Sequence, residues 1–214
     1  MKSTSSKLQT SSMLPVVFSL AWPTMLEQLM QTAVQYIDTA MVGSLGTQAT
    51  AAVGSTSTIN WLLTSSLSAL GVGFLSFIAR AYGANDKKMA ARVTSQTVLT
   101  TFVSGIVFTI LALSLSGAIP RWMQVDPSIQ SLASTYFFIL YTPMLFRAAT
   151  IIFGTALRAT GDTKTPMRVG IGVNIINVIL NFLFIYPTRP WNISSTQITI
   201  PGLGLGVIGA AIAS

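Results

Sequence analysis

Apolar residues run along this chain in long blocks, separated by short stretches of Gly, Ser, Lys and Asp. The blocks predict six membrane-crossing helices, at about 14–42, 50–79, 90–115, 131–157, 167–186 and from 203 onward. A helix needs roughly 20 residues to cross about 30 Å of hydrocarbon, and the first five blocks reach that length. The turn signal Gly43-Ser44-Leu45-Gly46 closes the first block. Pro and Gly inside the blocks are compatible with helix, because neighbouring helices satisfy the backbone groups they free. The sixth block is short: Gly204 to Ser214 covers about half a crossing at ~1.5 Å per residue. The expectation is therefore a fragment, or a half-length product ending within helix six. Residues 1–13 read as a polar cytoplasmic tail rather than a signal peptide, and 14–214 as one transmembrane lobe.

Charge changes the picture from apolar helices to an oriented membrane protein. Only 8% of the 214 residues are charged, twelve basic and five acidic, against ~25% in soluble domains. No Asp, Glu, Lys or Arg occurs from Thr39 to Ala79, Val93 to Pro120, Pro127 to Phe146, Val169 to Thr188, or Pro190 to Ser214. A soluble globular fold and a disordered chain are both excluded. Of the basic residues, Lys2, Lys7, Arg80, Lys87, Lys88, Arg92, Arg158, Lys164 and Arg168 fall on one side of the alternating spans. Arg121 and Arg189 fall on the other, and Arg147 lies within span four. That bias puts the N-terminus in the cytoplasm of a multi-pass protein of the inner (plasma) membrane. The net charge of +7 would suit nucleic acid, but its residues sit between spans, so the expected partner is the lipid bilayer. With no Cys and no His, a disulfide framework, a zinc cage, a thiol nucleophile and a Ser-His-Asp triad are all excluded.

Candidate chemistry lies in the polar residues within the spans, which are costly in lipid and therefore point to function. Span one carries Thr24, Glu27, Gln28, Gln31, Gln35 and Asp38. At ~100° per residue they form one stripe. Asn174, Asn177 and Asn181 share a face of span five, and Ser57, Asn60, Thr64 and Ser68 recur at similar spacing in span two. Several helices with one polar face each would enclose a hydrated cavity, as in a transporter. Interhelical hydrogen bonding is the competing reading: it suffices for the Ser and Thr positions and stays open for the Asn row. Asp38 differs, being a carboxylate in a span without basic residues, at a depth that Asn181 would share. It is a candidate to exchange protons or to help coordinate Na⁺ beside amide oxygens. Glu27 and Arg147, both near mid-span, are a candidate structural ion pair.

Some stretches also carry a resemblance. Ala21-Trp22-Pro23 through Ile37-Asp38-Thr39-Ala40-Met41-Val42-Gly43, then Ala51-Ala52-Val53-Gly54, resembles the first two helices of the MATE (multidrug and toxic compound extrusion) antiporters. Leu157-Arg158-Ala159-Thr160-Gly161-Asp162-Thr163-Lys164-Thr165-Pro166-Met167 is similar to that family's connection between helices four and five. Gly204-Leu205-Gly206-Val207-Ile208-Gly209-Ala210-Ala211-Ile212-Ala213 is similar to its start of helix six. The resemblance implies an all-α integral membrane protein of two six-helix lobes related by a pseudo-twofold axis, this chain being the first. It also implies a cation-coupled antiporter, driven by H⁺ or Na⁺ without other cofactor, exporting cationic or amphipathic drugs and metabolites by alternating access. The partner would be a missing C-terminal lobe or a second half-size chain. In that frame Asp38, Asn177 and Asn181 are cation-coupling residues, Gln31, Gln35, Asn60 and Asn174 line the substrate cavity, and Pro23 is a hinge. Members of the DinF-type branch carry a second acid on helix five; here that position is Asn181, which cannot titrate.

Other readings compete with this one. A flippase for lipid-linked saccharides shares the larger superfamily's architecture but favours a strongly cationic cavity, and only Arg147 is basic within a span. A non-transporting structural subunit is a further alternative. Gln197-Ile198-Thr199-Ile200 before Gly204-Leu205-Gly206-Val207-Ile208-Gly209 imitates a strand leading into a dinucleotide-binding loop. A Rossmann site would also need strand–helix alternation and a distal acid, which are missing. No acid pair or nucleophile–base set marks an enzyme. Gly161-Asp162-Thr163 and Pro166 read as a helix stop and a helix start.

Overall fold

The computed structural model of the chain describes residues 4–193 and 196–214. Its elements are α1 (Thr4–Gly43), α2 (Thr47–Gly83), α3 (Lys87–Leu115), a single turn α4 (Ile119–Trp122), α5 (Pro127–Tyr141), α6 (Met144–Ala159) and α7 (Lys164–Ile185). A hairpin of β1 (Pro187–Ile193) and β2 (Thr196–Leu203) follows, then α8 (Val207–Ala213). Among the described residues three helices, α2, α3 and α7, are long and apolar enough to cross a bilayer, and α5 with α6, bent by 50° at the break, passes the same test when taken together. The expected fourth span, 131–157, thus falls on two helices with a break at Thr142–Pro143. Pro143 lacks the N–H that would continue the ladder, and its ring crowds the preceding turn. α1 is long enough, but its polar stripe keeps it outside that apolar class. It also starts at Thr4, well into the expected tail, where no Gly or Pro interrupts the helix.

The interior of the lobe is small. Leu67 of α2, Phe137 and Tyr141 of α5, and Met144, Ala148 and Ile152 of α6 are fully buried. The Phe137 and Tyr141 rings lie 4.3 Å apart. Large apolar side chains such as Phe102, Ile106 and Ile110 on α3 and Ile175, Ile176 and Ile179 on α7 point outward. Apolar side chains exposed in this way suit contact with a hydrocarbon surrounding rather than with water.

Helices approach closely where residues are small. Val93, Thr97, Thr101 and Gly105 follow one face of α3 and are buried, and each Thr hydroxyl donates to the carbonyl four residues back. A Cβ on Gly105 would sit 2.6 Å from Leu145 Cδ1 and 3.0 Å from Leu145 Cα of α6. Part of that obstacle is backbone, so it cannot swing away. Gly105→Val is expected to destabilise the lobe by about 1–3 kcal/mol, read as a lower melting temperature in detergent.

The two-stranded antiparallel hairpin is a departure from an all-helical chain. Its far end works as a cap for α7. The N–H groups of Gly204, Leu205 and Gly206 donate to the carbonyls of Tyr186, Phe184 and Ile185 at 2.9, 2.8 and 3.1 Å. These are carbonyls that a helix end leaves without partners. Gly204 and Gly206 hold φ of +66° and +56°, the left-handed region that favours glycine. The Gly-x-Gly signal is thus a helix cap. Its amides are used within the fold rather than offered to a pyrophosphate, and the strand before it is antiparallel. At the hairpin's base the Arg189 guanidinium lies 4.3 Å from the ring centres of both Phe182 and Tyr186. The Tyr186 and Ser44 hydroxyls share a hydrogen bond of 2.8 Å, tying the end of α7 to the α1–α2 turn.

Candidate functional site

The polar stripe of α1 divides along its length by helical phase. At ~100° per residue Glu27 and Asp38 fall at one edge and Gln28 and Gln35 at the other. Buried Pro23 and Val34 lie beyond the acidic edge, so that edge faces the lobe. Gln28, Gln31 and Gln35 are exposed on the opposite side, facing away from the core.

α1 packs against α7, and the two run parallel in a fixed register. A Cβ on Gly170 would lie 3.4 Å from Glu27 Cγ and Oε1. Eleven residues further along both helices, Asn181 Nδ2 donates to Asp38 Oδ1 at 2.6 Å. The same nitrogen donates to Asn177 Oδ1 at 3.2 Å, and Asn177 Nδ2 donates to the Ala213 carbonyl of α8 at 3.1 Å. A relay of amides thus links α1, α7 and α8 at one depth. Asn181 is fully buried and Asp38 half-buried. Asn181 Oδ1 is buried without a hydrogen-bond partner, although such acceptors nearly always have one. Asp38 and the two Asn residues are therefore brought together as expected. Asn174 lies on the same face of α7, half-exposed, and Pro23 is buried in α1. Asn60 has a different use: it accepts a hydrogen bond from the Tyr141 hydroxyl at 2.9 Å, joining α2 to α5.

The Glu27–Arg147 pair does not form. Glu27 is held by Arg158, whose Nη2 lies 2.8 and 2.7 Å from its two carboxylate oxygens. The reason is depth. Glu27 lies about 16 Å along α1 from Asp38, eleven residues at 1.5 Å each, towards the α6–α7 connection. Arg158 ends α6 there, whereas Arg147 is three turns away. That connection is the stop and start read from the sequence. Gly161 takes φ +89°, and Asp162 Oδ1 accepts from the Thr165 N–H at 3.0 Å. Hydrogen bonds from Thr165 hold the exposed Asp162 carboxyl below the ordinary carboxylate range.

Fold and site together define a multi-pass helical membrane lobe with a polar seam between its first helix and the helix after the bent pair. The chain belongs to the MatE family, whose model matches residues 23–183. It is 32% identical over 195 residues to the probable multidrug resistance protein YpnP of Bacillus subtilis, covering 90% of this chain and 43% of that protein. It is 27% identical over 170 residues to the probable multidrug resistance protein NorM of Thermotoga maritima, covering 79% and 37%. Among solved structures, an outward-facing conformation of a multidrug resistance MATE family transporter of the MOP superfamily superposes with TM-score 0.80 at 29% identity. That match covers 92% of this chain and 41% of the other, and corresponds to the N-terminal half of such transporters. The chain spans less than half the length of the curated relatives it matches.

Proposed function

We propose that this chain is the N-terminal lobe of a cation-coupled efflux antiporter, with its N-terminus in the cytoplasm and its cation site at Asp38. The observation that carries the reading is the buried contact between Asp38 and Asn181, with its unpartnered amide oxygen. A half-buried carboxylate and two amide oxygens are hard donors of the kind that suit a proton or Na⁺. Asp38 and Asn181 would hold the ion, Asn177 would orient Asn181, and a second lobe would face Gln31 and Gln35 across the substrate path. The relatives' names as probable multidrug resistance proteins support drugs and amphipathic metabolites as cargo. Inward- and outward-open states would then alternate as one lobe rocks against the other, with Pro23 as a flexible point in α1.

Transport by reconstituted protein tests this. In proteoliposomes, a cationic dye is expected to move against its gradient only under an imposed H⁺ or Na⁺ gradient. A protonophore or a Na⁺ ionophore should abolish the movement, and which one does so identifies the ion. Dye movement indifferent to both gradients would remove the antiport reading.

A further inference from the structure

Arg147 is the one basic residue within a span that the site so far leaves unused. It is half-buried on α6, and an arginine in hydrocarbon is costly unless it meets a counter-charge or water. The chain has five acidic residues, and each has other partners. Asp86 accepts from the Met89 N–H, Asp126 from Ser128 and Asp162 from Thr165, all in connections. Glu27 is engaged by Arg158, and Asp38 by Asn181. Among the described residues no carboxylate is paired with Arg147.

Its position is nonetheless set against an acid. Arg147 and Arg158 are eleven residues apart on α6, within ~20° of one face. Glu27 and Asp38 have the same spacing and phase on α1. α6 ends where α7 begins, and α1 is parallel to α7, so α6 runs antiparallel to α1. The level that brings Arg158 onto Glu27 therefore brings Arg147 to the depth of Asp38. The lower pair closes at 2.7 Å. Among the described residues no ion pair joins the upper two, Asp38 and Arg147. The charges of Asp38 and Arg147 both act on the Tyr136 phenol, and that of Arg147 also acts on Tyr141. The lobe thus carries an acid on α1 and a base on α6 at one depth, with Tyr136 of α5 within reach of both charges.

We propose that Arg147 is a specificity-determining residue that receives a carboxylate carried by the substrate, at the depth of the cation site at Asp38. The inference rests on the transporter reading above and narrows its cargo to amphipathic compounds bearing a carboxylate, zwitterions included. Guanidinium suits the task, since it presents a planar fork matched to carboxylate oxygens and stays charged at all working pH values. Asp38 is held by Asn181, so a ligand carboxylate does not have to displace an existing ion pair from Arg147.

A matched pair of dyes tests it: rhodamine B, which carries a free carboxylate, and its ethyl ester, which is the same molecule with that charge masked. Binding of each to the protein in lipid nanodiscs is followed by fluorescence anisotropy, with empty nanodiscs subtracted. The parent is expected to favour rhodamine B by about tenfold, in line with one charge-assisted contact. R147Q should reduce the preference to near unity by weakening rhodamine B while leaving the ester unchanged. R147K should fall between, because an ammonium gives a point contact in place of a fork. If R147Q is not monodisperse, R147K alone decides, and an unaltered ratio there overturns the proposal. A parent that binds the two dyes equally, binds neither, or keeps its preference in R147Q also overturns it. Those outcomes leave the antiport reading standing, since that reading fails only if gradients do not drive transport.

Discussion

Asp38→Asn is expected to abolish gradient-driven dye transport in proteoliposomes, to at least about tenfold below the parent, while the protein still folds and inserts. The substitution is nearly isosteric, and the new amide oxygen can still accept from Asn181 Nδ2, as Asp38 Oδ1 does at 2.6 Å. The α1–α7 packing is therefore kept. What disappears is the charge, and with it the ability to take up a proton or neutralise Na⁺. Asn181 cannot take over, because an amide does not titrate, and Glu27 is about 16 Å away and paired with Arg158. No other carboxylate of this chain lies within its spans. Downhill exchange of dye should survive, because it needs the cavity and not the ion. The decisive comparison is coupled accumulation against passive exchange in the same vesicles. If D38N accumulated dye as well as the parent, the coupling site would have to lie elsewhere, in a second lobe.

Much of this arrangement was legible because membranes make polar residues expensive. The blocks free of charge marked the spans, and the few acids within them marked the seam. Counting back from the ends of their helices puts Asp38 and Asn181 at one depth, which works when two parallel helices end at one surface. For Glu27 the mid-span position alone points to Arg147, which is not its partner. Its partner follows from a spacing that was present all along: Arg158 follows Arg147 by the eleven residues that separate Glu27 from Asp38. Reading the four positions as two levels would have paired Glu27 with Arg158.

Other features lay beyond one-dimensional reasoning. A hydrophobic block has no mark that says where it bends, and Pro143 alone is compatible with either a kinked span or a straight one. Asn60 has the spacing of a cavity residue, yet its partner Tyr141 is eighty-one positions away. The Gly-x-Gly segment has the local pattern of a phosphate loop. Only the approach of Phe184, Ile185 and Tyr186 carbonyls to its amides shows it to be a helix cap.

The Glu27–Arg158 pair should dominate the stability of the end of the lobe opposite Asp38. Arg158→Met is expected to cost about 2–3 kcal/mol, below the full 3–5 of a wholly buried pair because both side chains keep some exposure, 18% for Glu27 and 27% for Arg158. In a chain of this size that corresponds to a fall of roughly 5–10 °C in melting temperature. The cost comes mainly from Glu27, left charged against Gly170 with no counter-ion. Glu27→Gln combined with Arg158→Met should therefore melt above Arg158→Met alone. The contact also predicts what Lys does. One nitrogen, Nη2, makes both short contacts, while Nε is buried without a partner. The fork that usually distinguishes Arg from Lys is not in use. Arg158→Lys should thus stay within about 1 kcal/mol of the parent, and it removes the orphaned Nε. Melting curves of the four proteins in one detergent, followed by tryptophan fluorescence, separate these cases. An Arg158→Met protein as stable as its parent would show that the pair adds nothing to the fold. An Arg158→Lys protein as unstable as Arg158→Met would show that guanidinium shape, and not charge, holds α6 to α1.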